Sequence, residues 1–389
     1  MHNPQKTLLM VVNDAAFFLS HREPVAKAAR DHGFLVVVAT AAGPAVHAIV
    51  DAGYEHREIR LTRSGRNPFA EALSVVSLIR LFRRVRPDVV HLVTIKPVLY
   101  GGLAAWMVRV PGIVSAISGL GTVFGSTSDS RMSMAQFAAK LLYRLALGHR
   151  NQRVIFQNSN DRNVLAMLTR FQRNKTVMIT GSGVDLSEYK MTDEVETEAP
   201  VVVMAARLLR DKGVYEFINA ARILKRRNVR SRFLLAGDPD PGNPSSVNNA
   251  DLEKWRAEGN VEILGFRGDV ATIFAMSHIV VLPSSYGEGI PKVLIEAAAC
   301  GRAVVTTDIP GGREAIEPGK SGLLVPPRDA DALADAIQLL IENQDLRRQM
   351  GRAGRELAKQ RFRIEEVIAQ HLSIYDALLA DGQAGGGKV

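Results

Sequence analysis

Cysteine is nearly absent: among 389 residues there is one, Cys300. That excludes an internal disulfide framework and any cysteine-built zinc site, and it suits a reducing compartment. Cys300 itself reads as a small buried hydrophobe rather than a nucleophile. Aromatics make up only 6% of the chain and do not interleave with basic residues, as a base-stacking nucleic-acid surface requires. Long apolar runs are missing too. The least charged region, Pro97 to Ser128, carries only Arg109, but Pro111 and six glycines interrupt it. A spanning helix needs roughly 20 consecutive apolar residues. The N-terminus runs from Met1-His2-Asn3-Pro4 into a strand-like Leu8–Val12 without the apolar core of a signal peptide. The expected location is therefore cytoplasmic.

Charge is present and unevenly placed. The chain has 49 Lys+Arg against 40 Asp+Glu, a formal +9. Residues 1–190 hold 24 basic and 12 acidic residues, whereas residues 191–389 hold 25 and 28. A half at +12 and a half at −3 are expected to meet different partners. The net charge alone would also admit a nucleic-acid binder, but no recognition motif accompanies it.

Short apolar runs alternate with helical patterns in both halves. Leu8–Val12, Phe34–Thr40, Tyr54–Arg60 and Asp88–Val93 read as strands, and Arg22–His32 reads as a helix. Phe69, Leu73, Val76, Ile79 and Phe82 recur at intervals of three or four, which predicts the buried face of another helix. In the second half Val201–Ala206, Arg232–Ala236, Val261–Leu264, Ile279–Leu282 and Ala303–Thr306 are strands. Strands spaced by helices imply βαβ units and parallel sheets. The expected organisation is an α/β domain over residues 1–180, a linker over 181–200 and a second α/β domain over 201–362. A C-terminal helix over 363–380 and a disordered tail over 381–389 follow. Ligands of such sheets bind beyond the carboxyl ends of the strands, which makes the cleft between the two domains the default site.

Two motifs stand at strand ends of the second half. Pro283-Ser284-Ser285-Tyr286-Gly287-Glu288-Gly289-Ile290-Pro291-Lys292 follows Ile279–Leu282 and opens a helix, with Pro291 suited to its first position and Glu296 in its second turn. Free amides at such a helix start hold phosphate oxygens. Ala206-Arg207-Leu208-Leu209-Arg210-Asp211-Lys212-Gly213 follows Val201–Ala206, and a guanidinium fork plus an ammonium there suits a diphosphate. Gly265-Phe266-Arg267 follows a third strand.

Together with Gly237-Asp238, the E-x7-E pair Glu288/Glu296 and Gly322-Leu323-Leu324-Val325, these segments resemble the retaining family-4 glycosyltransferases of the GT-B fold. The resemblance implies two Rossmann-like domains facing across a cleft. It implies that Arg207 and Lys212 neutralise the donor diphosphate, Glu288 contacts the donor sugar and Glu296 binds the ribose. The backbone of Gly265, Phe266 and Arg267 would hold the base, and amides near Gly289, Ile290 and Lys292 would face sugar and phosphates. Glu288, Arg207 and Lys212 form the implied catalytic set, with no metal and no cofactor beyond the nucleotide-sugar substrate.

In the first half, Ala16-Phe17-Phe18-Leu19-Ser20-His21-Arg22, Val90-His91-Leu92-Val93-Thr94-Ile95-Lys96-Pro97 and Ala116-Ile117-Ser118-Gly119-Leu120-Gly121 look like the capsule, O-antigen and lipid-linked oligosaccharide branch. That branch implies a UDP-sugar donor, often an N-acetylhexosamine, and an undecaprenyl-diphosphate-linked acceptor. His21, His91, Thr94, Lys96 and Ser118 are the implied acceptor-side residues. The chain departs from the family twice. The first loop reads Asn13-Asp14-Ala15-Ala16 where many members are Gly-rich, and Ser118-Gly119 stands where many carry a histidine. Ser118, His91 or a backbone group could take that place. A UDP-N-acetylglucosamine 2-epimerase shares the architecture, but the E-x7-E loop argues against it.

Basic helices add a membrane reading. Arg80, Arg83, Arg84 and Arg86 end one helix. Lys140, Arg144, Arg150 and Arg153 line an expected helix over 132–153, opposite Phe137, Leu141 and Leu145. Such helices suit an anionic membrane face, or simply a solvated one with favourable charge at its helix ends. The Gly/Ser-rich segment 119–131 reads as a mobile acceptor loop.

Overall fold

A computed structural model describes residues 5–61, 68–120, 134–169 and 172–386. The chain forms two compact units: Met1–Ser182 together with Glu365–Val389, and Gly183–Ile364.

The first unit is built on seven parallel strands: β1 Thr7–Val12, β2 Leu35–Thr40, β3 Glu55–Glu58, β4 Val89–Val93, β5 Gly112–Ile117, β6 Gln152–Phe156 and β7 Thr176–Met178. Their order is β3-β2-β1-β4-β5-β6-β7. The second unit has six, β8 Val201–Ala205, β9 Arg232–Ala236, β10 Glu262–Gly265, β11 Ile279–Leu282, β12 Ala303–Thr307 and β13 Gly322–Val325, in the order β10-β9-β8-β11-β12-β13. The central strands are unbroken apolar runs because helices cover both faces of a parallel sheet. Leu8 to Val12 and Val202 to Met204 have no exposed surface. In each sheet the winding reverses once, between β1 and β4 and between β8 and β11, and such switch points leave a crevice at the strands' carboxyl ends.

Several expected boundaries move. The helix after β3 spans Pro68–Val85, and its expected stripe divides: Ile79 and Phe82 pack on the core, while Phe69, Leu73 and Val76 lie outside. Phe69 is 82% exposed and Leu73 55%. The stripe that packs is Ser74, Leu78, Leu81 and Phe82. The physical reason is charge: the Phe69–Leu73–Val76 line runs on into Arg80 and Arg83, whereas the 74–78–81–85 line carries none. The helix expected over 132–153 is Met134–Ala146, and Arg153 belongs to β6.

The segment expected as a linker packs as part of the second unit. Tyr189 is buried and its carbonyl accepts from Arg355 at 2.7 Å. Glu194 forms a nearly closed ion pair with Arg347 at 2.8 Å. The last helix runs Ile364–Gly386, so residues 381–386, expected to be disordered, are helical. It belongs to the first unit: Asn151 Nδ2 donates to the Leu378 carbonyl at 2.8 Å, and Arg153 pairs with Asp381 at 2.8 Å. Residues 121–131 of the expected acceptor loop lie outside the described residues.

Candidate active site

The second unit concentrates charge at its switch point. The 206–213 segment leaves β8 and the 283–291 segment leaves β11, the two strands flanking the reversal. The segments are tied together by backbone: Ser285 N donates to the Asp211 carbonyl at 2.9 Å and Ser284 Oγ to the same oxygen at 3.2 Å. Gly213 makes the approach possible. Its φ is +81°, and a Cβ there would lie 2.1 Å from the Pro283 carbonyl oxygen. Gly311 does the same beneath the Glu288 loop, where a Cβ would lie 1.9 Å from the Gly289 oxygen.

Across this junction Lys212 Nζ and Glu288 Oε2 form a close ion pair, with both side chains only 13% exposed. Lys212 also sits 5.4 Å from the Tyr286 ring centre. Burial works against the Lys212 charge, but Glu288 and Tyr286 outweigh it and raise its pKa above the ordinary lysine value. Burial, then Glu288, pushes the Tyr286 phenol up as well. The second carboxylate oxygen of Glu288 is buried without a partner. A buried, unsatisfied acceptor at a strand-end crevice is what a ligand hydroxyl would complete.

Arg207 is half-exposed and pairs with Asp240 at 2.8 Å. Glu296 is buried, held by Lys292 at 2.7 Å and by the Tyr189 hydroxyl, from the segment expected as a linker. Pro291 proves to be the N-cap of the helix Lys292–Ala299, not its first residue, so the first amides are those of Lys292 and Val293. Gly289 and Ile290 are buried under the Glu288 loop. Gly265 ends β10, and its carbonyl accepts from Gly237 N at 2.7 Å. Phe266 N donates to Asp238 at 3.1 Å while its ring is 77% exposed, and Arg267 pairs with Asp269. Cys300 is buried, and burial pushes its thiol up to about 12, which leaves it protonated.

The first unit divides the acceptor-side set. Asn13 follows β1, Thr94 follows β4 and Ser118 follows β5, three adjacent strands. Asn13 Oδ1, Thr94 Oγ1 and Ser118 Oγ are all buried without a partner. Thr94 has φ +74°, a strained value for a β-branched residue. Lys96 pairs with Glu71 at 2.6 Å, both 15% exposed. Asn13 and Glu71 were not singled out from the sequence. Asn13 had a signal, since it stands where the family's first loop is Gly-rich.

The histidines do not join this group. His91 has no exposed surface, and its Nδ1 lies 2.8 Å from the Tyr375 hydroxyl of the C-terminal helix. It shares that pocket with His371, at a ring separation of 5.5 Å. Burial, then the charges of His371 and Arg22, hold His91 well below the ordinary histidine pKa. His91 is a packed core residue, because alternation along β4 turns it to the sheet face opposite Val90 and Leu92. His21 ends the short helix Ala15–His21, stacked on Phe17 at 4.1 Å. That helix carries it roughly 9 Å along its axis beyond Ala15.

Two doubly wound parallel units, one with a cation–carboxylate pair at its switch point, make up the architecture of the GT-B fold. The chain belongs to the glycosyltransferases of the GT-B fold. Residues 188–357 match the family described as glycosyl transferases group 1, and residues 7–158 match glycosyl transferase 4-like. An N,N'-diacetylbacillosaminyl-diphospho-undecaprenol alpha-1,3-N-acetylgalactosaminyltransferase from Campylobacter jejuni is 30% identical, over 93% of this chain and 98% of that protein. Among solved structures, sucrose-phosphate synthase from Thermosynechococcus elongatus superposes with a TM-score of 0.78 at 20% identity, covering 97% of this chain and 100% of that one. Anabaena HepE in complex with UDP-glucose gives 0.71 at 19% identity, covering 94% and 99%.

Proposed function

We propose that this enzyme moves a hexose or N-acetylhexosamine from a UDP-sugar to a polyprenyl-diphosphate-linked glycan, with retention of anomeric configuration and without a metal. Its place is the assembly of cell-surface polysaccharide or lipid-linked oligosaccharide, at the cytoplasmic face of the membrane. The observation that carries the reading is the Lys212–Glu288 contact across the β8/β11 reversal. A group suited to phosphate and a group suited to sugar hydroxyls meet at one point, as the junction of sugar and diphosphate requires.

The chemistry follows from that geometry. As the sugar departs, positive charge develops at its anomeric carbon and negative charge on the diphosphate. Lys212 is preorganised to stabilise the leaving oxygens, and half-exposed Arg207 swings from Asp240 to the outer phosphate at little cost. Glu288 offers its unpartnered oxygen to a sugar hydroxyl. Glu296, fixed by Lys292 and Tyr189, takes the ribose, and the backbone at Gly265–Arg267 takes the base, with the exposed Phe266 ring beside it. Amides of Lys292 and Val293 face the phosphates. On the acceptor side, Asn13, Thr94 and Ser118 present unpaired polar atoms, and Lys96 supplies a cation.

The nucleotide is supported by the fold shared with HepE, solved with UDP-glucose. The acceptor is supported by the undecaprenol-linked substrate named for the Campylobacter relative. Among the described residues no group of three or more His, Cys, Asp or Glu could hold a metal ion, and no helix is long and apolar enough to cross a membrane. The test is purified enzyme with UDP-sugars and a polyprenyl-diphosphate-linked acceptor, in the presence and absence of EDTA. Product of retained configuration, unaffected by EDTA, is expected. Conversion of the donor without acceptor would instead mark an epimerase. Stabilisation by GDP over UDP in a thermal-shift screen would overturn the donor assignment.

A further inference from the structure

The first unit carries its own enclosed lysine–glutamate pair, in a place that corresponds to Lys212–Glu288. Lys212 follows a strand that flanks the reversal of the second sheet, and Lys96 follows β4, which flanks the reversal of the first. The chain turns sharply to set it there. Thr94 takes the strained φ of +74°, and Pro97–Gly101 then form one wide π-helical turn, a rare element that recurs at functional sites. The 68–85 helix packs on that turn and brings Glu71 to Lys96, whose Nζ donates to Oε1 at 2.6 Å. The Tyr100 hydroxyl bonds the same carboxylate. Oε2 of Glu71 is buried without a partner, as one oxygen of Glu288 is.

Two donors fix this carboxylate, yet half of its accepting capacity is unused. A buried acceptor left in that state costs free energy until a donor completes it. The side chain is 15% exposed, and the soft terminal torsion of glutamate lets a small turn present either oxygen. Asn13, Thr94 and Ser118, with their unpartnered oxygens, stand at the same end of the sheet and carry no charge. The charge of the pair decides what it takes. Glu71 neutralises Lys96, so the pair offers nothing net to an anion. A diphosphate would have to draw Lys96 away and leave a largely buried carboxylate uncompensated beside like charge. A hydroxyl or amide N–H supplies the donor that Oε2 lacks and leaves the pair intact.

We propose that Glu71 determines acceptor specificity: its Oε2 accepts a hydrogen bond from a hydroxyl or amide of the acceptor's sugar. Lys96 and Tyr100 are positioning residues that hold the carboxylate for it. The pair reads the glycan, and the acceptor's diphosphate is held by other groups. The assignment rests on the transferase reading above, whose acceptor site it narrows.

Full-length enzyme and Glu71→Gln are compared in transfer from UDP-sugars to prenyl diphosphates carrying glucose, galactose, N-acetylglucosamine or N-acetylgalactosamine. Glu71→Gln should raise the acceptor KM by at least about tenfold, with UDP affinity unchanged. Analogues of the preferred acceptor that lack one hydroxyl, or the acetamido group, locate the contact. An analogue without the attacked hydroxyl is scored as a competitive inhibitor. The wild type should discriminate against one analogue by at least about tenfold, and Glu71→Gln should not. A merely structural role would weaken all of them alike. Glu71→Gln/Lys96→Met, which strands no charge, should show the same loss of discrimination, so a folding defect in the single variant does not decide the matter. Farnesyl diphosphate, which has no sugar, should inhibit all three proteins equally. The proposal is overturned if either variant keeps the wild-type KM and discrimination. It is also overturned if Glu71→Gln tightens inhibition by farnesyl diphosphate and the double variant loses it, which would mark Lys96 as the diphosphate site. Wild-type transfer with Glu71 silent leaves the proposed reaction standing. No wild-type transfer to any of the four glycans removes the proposed acceptor and this assignment with it.

Discussion

Replacing Lys212 by alanine tests the site at its centre. The ammonium and the Glu288 carboxylate are each 13% exposed, so the pair is screened little by water. Removing one member leaves the other buried and uncompensated, which costs about 3–5 kcal/mol. At about 2–4 °C per kcal/mol for a unit of this size, the melting temperature should fall by about 10 °C. Lys212→Ala/Glu288→Gln, which removes both charges, should recover much of that loss. Catalysis separates the partners differently. Loss of a preorganised donor to the leaving group costs about 10²–10³ in kcat, so Lys212→Ala should show that drop together with weaker UDP binding. Glu288→Gln should also be slow, yet it removes the anion that competes with diphosphate for Lys212. Its affinity for UDP should therefore equal or exceed that of the wild type. Calorimetric titration with UDP, beside single-turnover transfer, reads both quantities. If Glu288→Gln weakens UDP as much as Lys212→Ala does, or if Lys212→Ala turns over at the wild-type rate, the assignment of the pair is wrong.

Other expectations follow from the same contacts. Burial lowers the His371 pKa to about 4, while the unfolded chain takes up that proton near 6.5. The unfolded state then binds more protons between those values, so stability is full above pH 6.5 and falls by about 3 kcal/mol on the way to pH 4. Denaturant melts across that range should show the decline, and His371→Phe should flatten it. Gly213→Ala places a Cβ 2.1 Å from the Pro283 oxygen at a positive φ; the Glu288 loop must shift, and transfer should drop with a stability loss of about 1–3 kcal/mol. Cys300, buried with its thiol near 12, should resist alkylation in the native protein and react fully in denaturant. Glu194→Ala strands Arg347, whose side chain is 3% exposed, and should cost about 3–5 kcal/mol by thermal unfolding.

The strands were legible because each rests on local chemistry. Unbroken branched runs such as Val201–Ala205 admit little but a buried strand, and Arg207, Lys212 and Glu288 stand at the ends of such runs. What the sequence hid was long-range. Nothing near His91 announces that Tyr375, 284 residues away, will bond it, so its strand-end position suggested a site it does not reach. The 181–200 segment lacks apolar periodicity, yet Tyr189 and Glu194 find partners on distant helices. The exposed first half of the 68–85 helix's stripe is a different kind of miss. Arg80 and Arg83 lie on the Phe69–Leu73 line, and weighing charge with periodicity would have turned the helix the right way.

The return of the C-terminal helix to the first unit has a consequence for biosynthesis. Domains fold as they leave the ribosome, N-terminal first, but here that order is broken. Residues 183–364 are complete and can close their own sheet while residues 365–386 are still being made. Until residues 371 and 375 emerge, His91, which ends fully buried, lacks the Tyr375 hydroxyl and the His371 ring that it packs against. The half of the molecule that is begun first is finished last, and during that interval a nascent chain presents an unsealed sheet to chaperones and proteases. Nonsense or frameshift lesions in the codons of residues 365–386 should therefore act on the first unit, leaving the second unit folded and the first unmade.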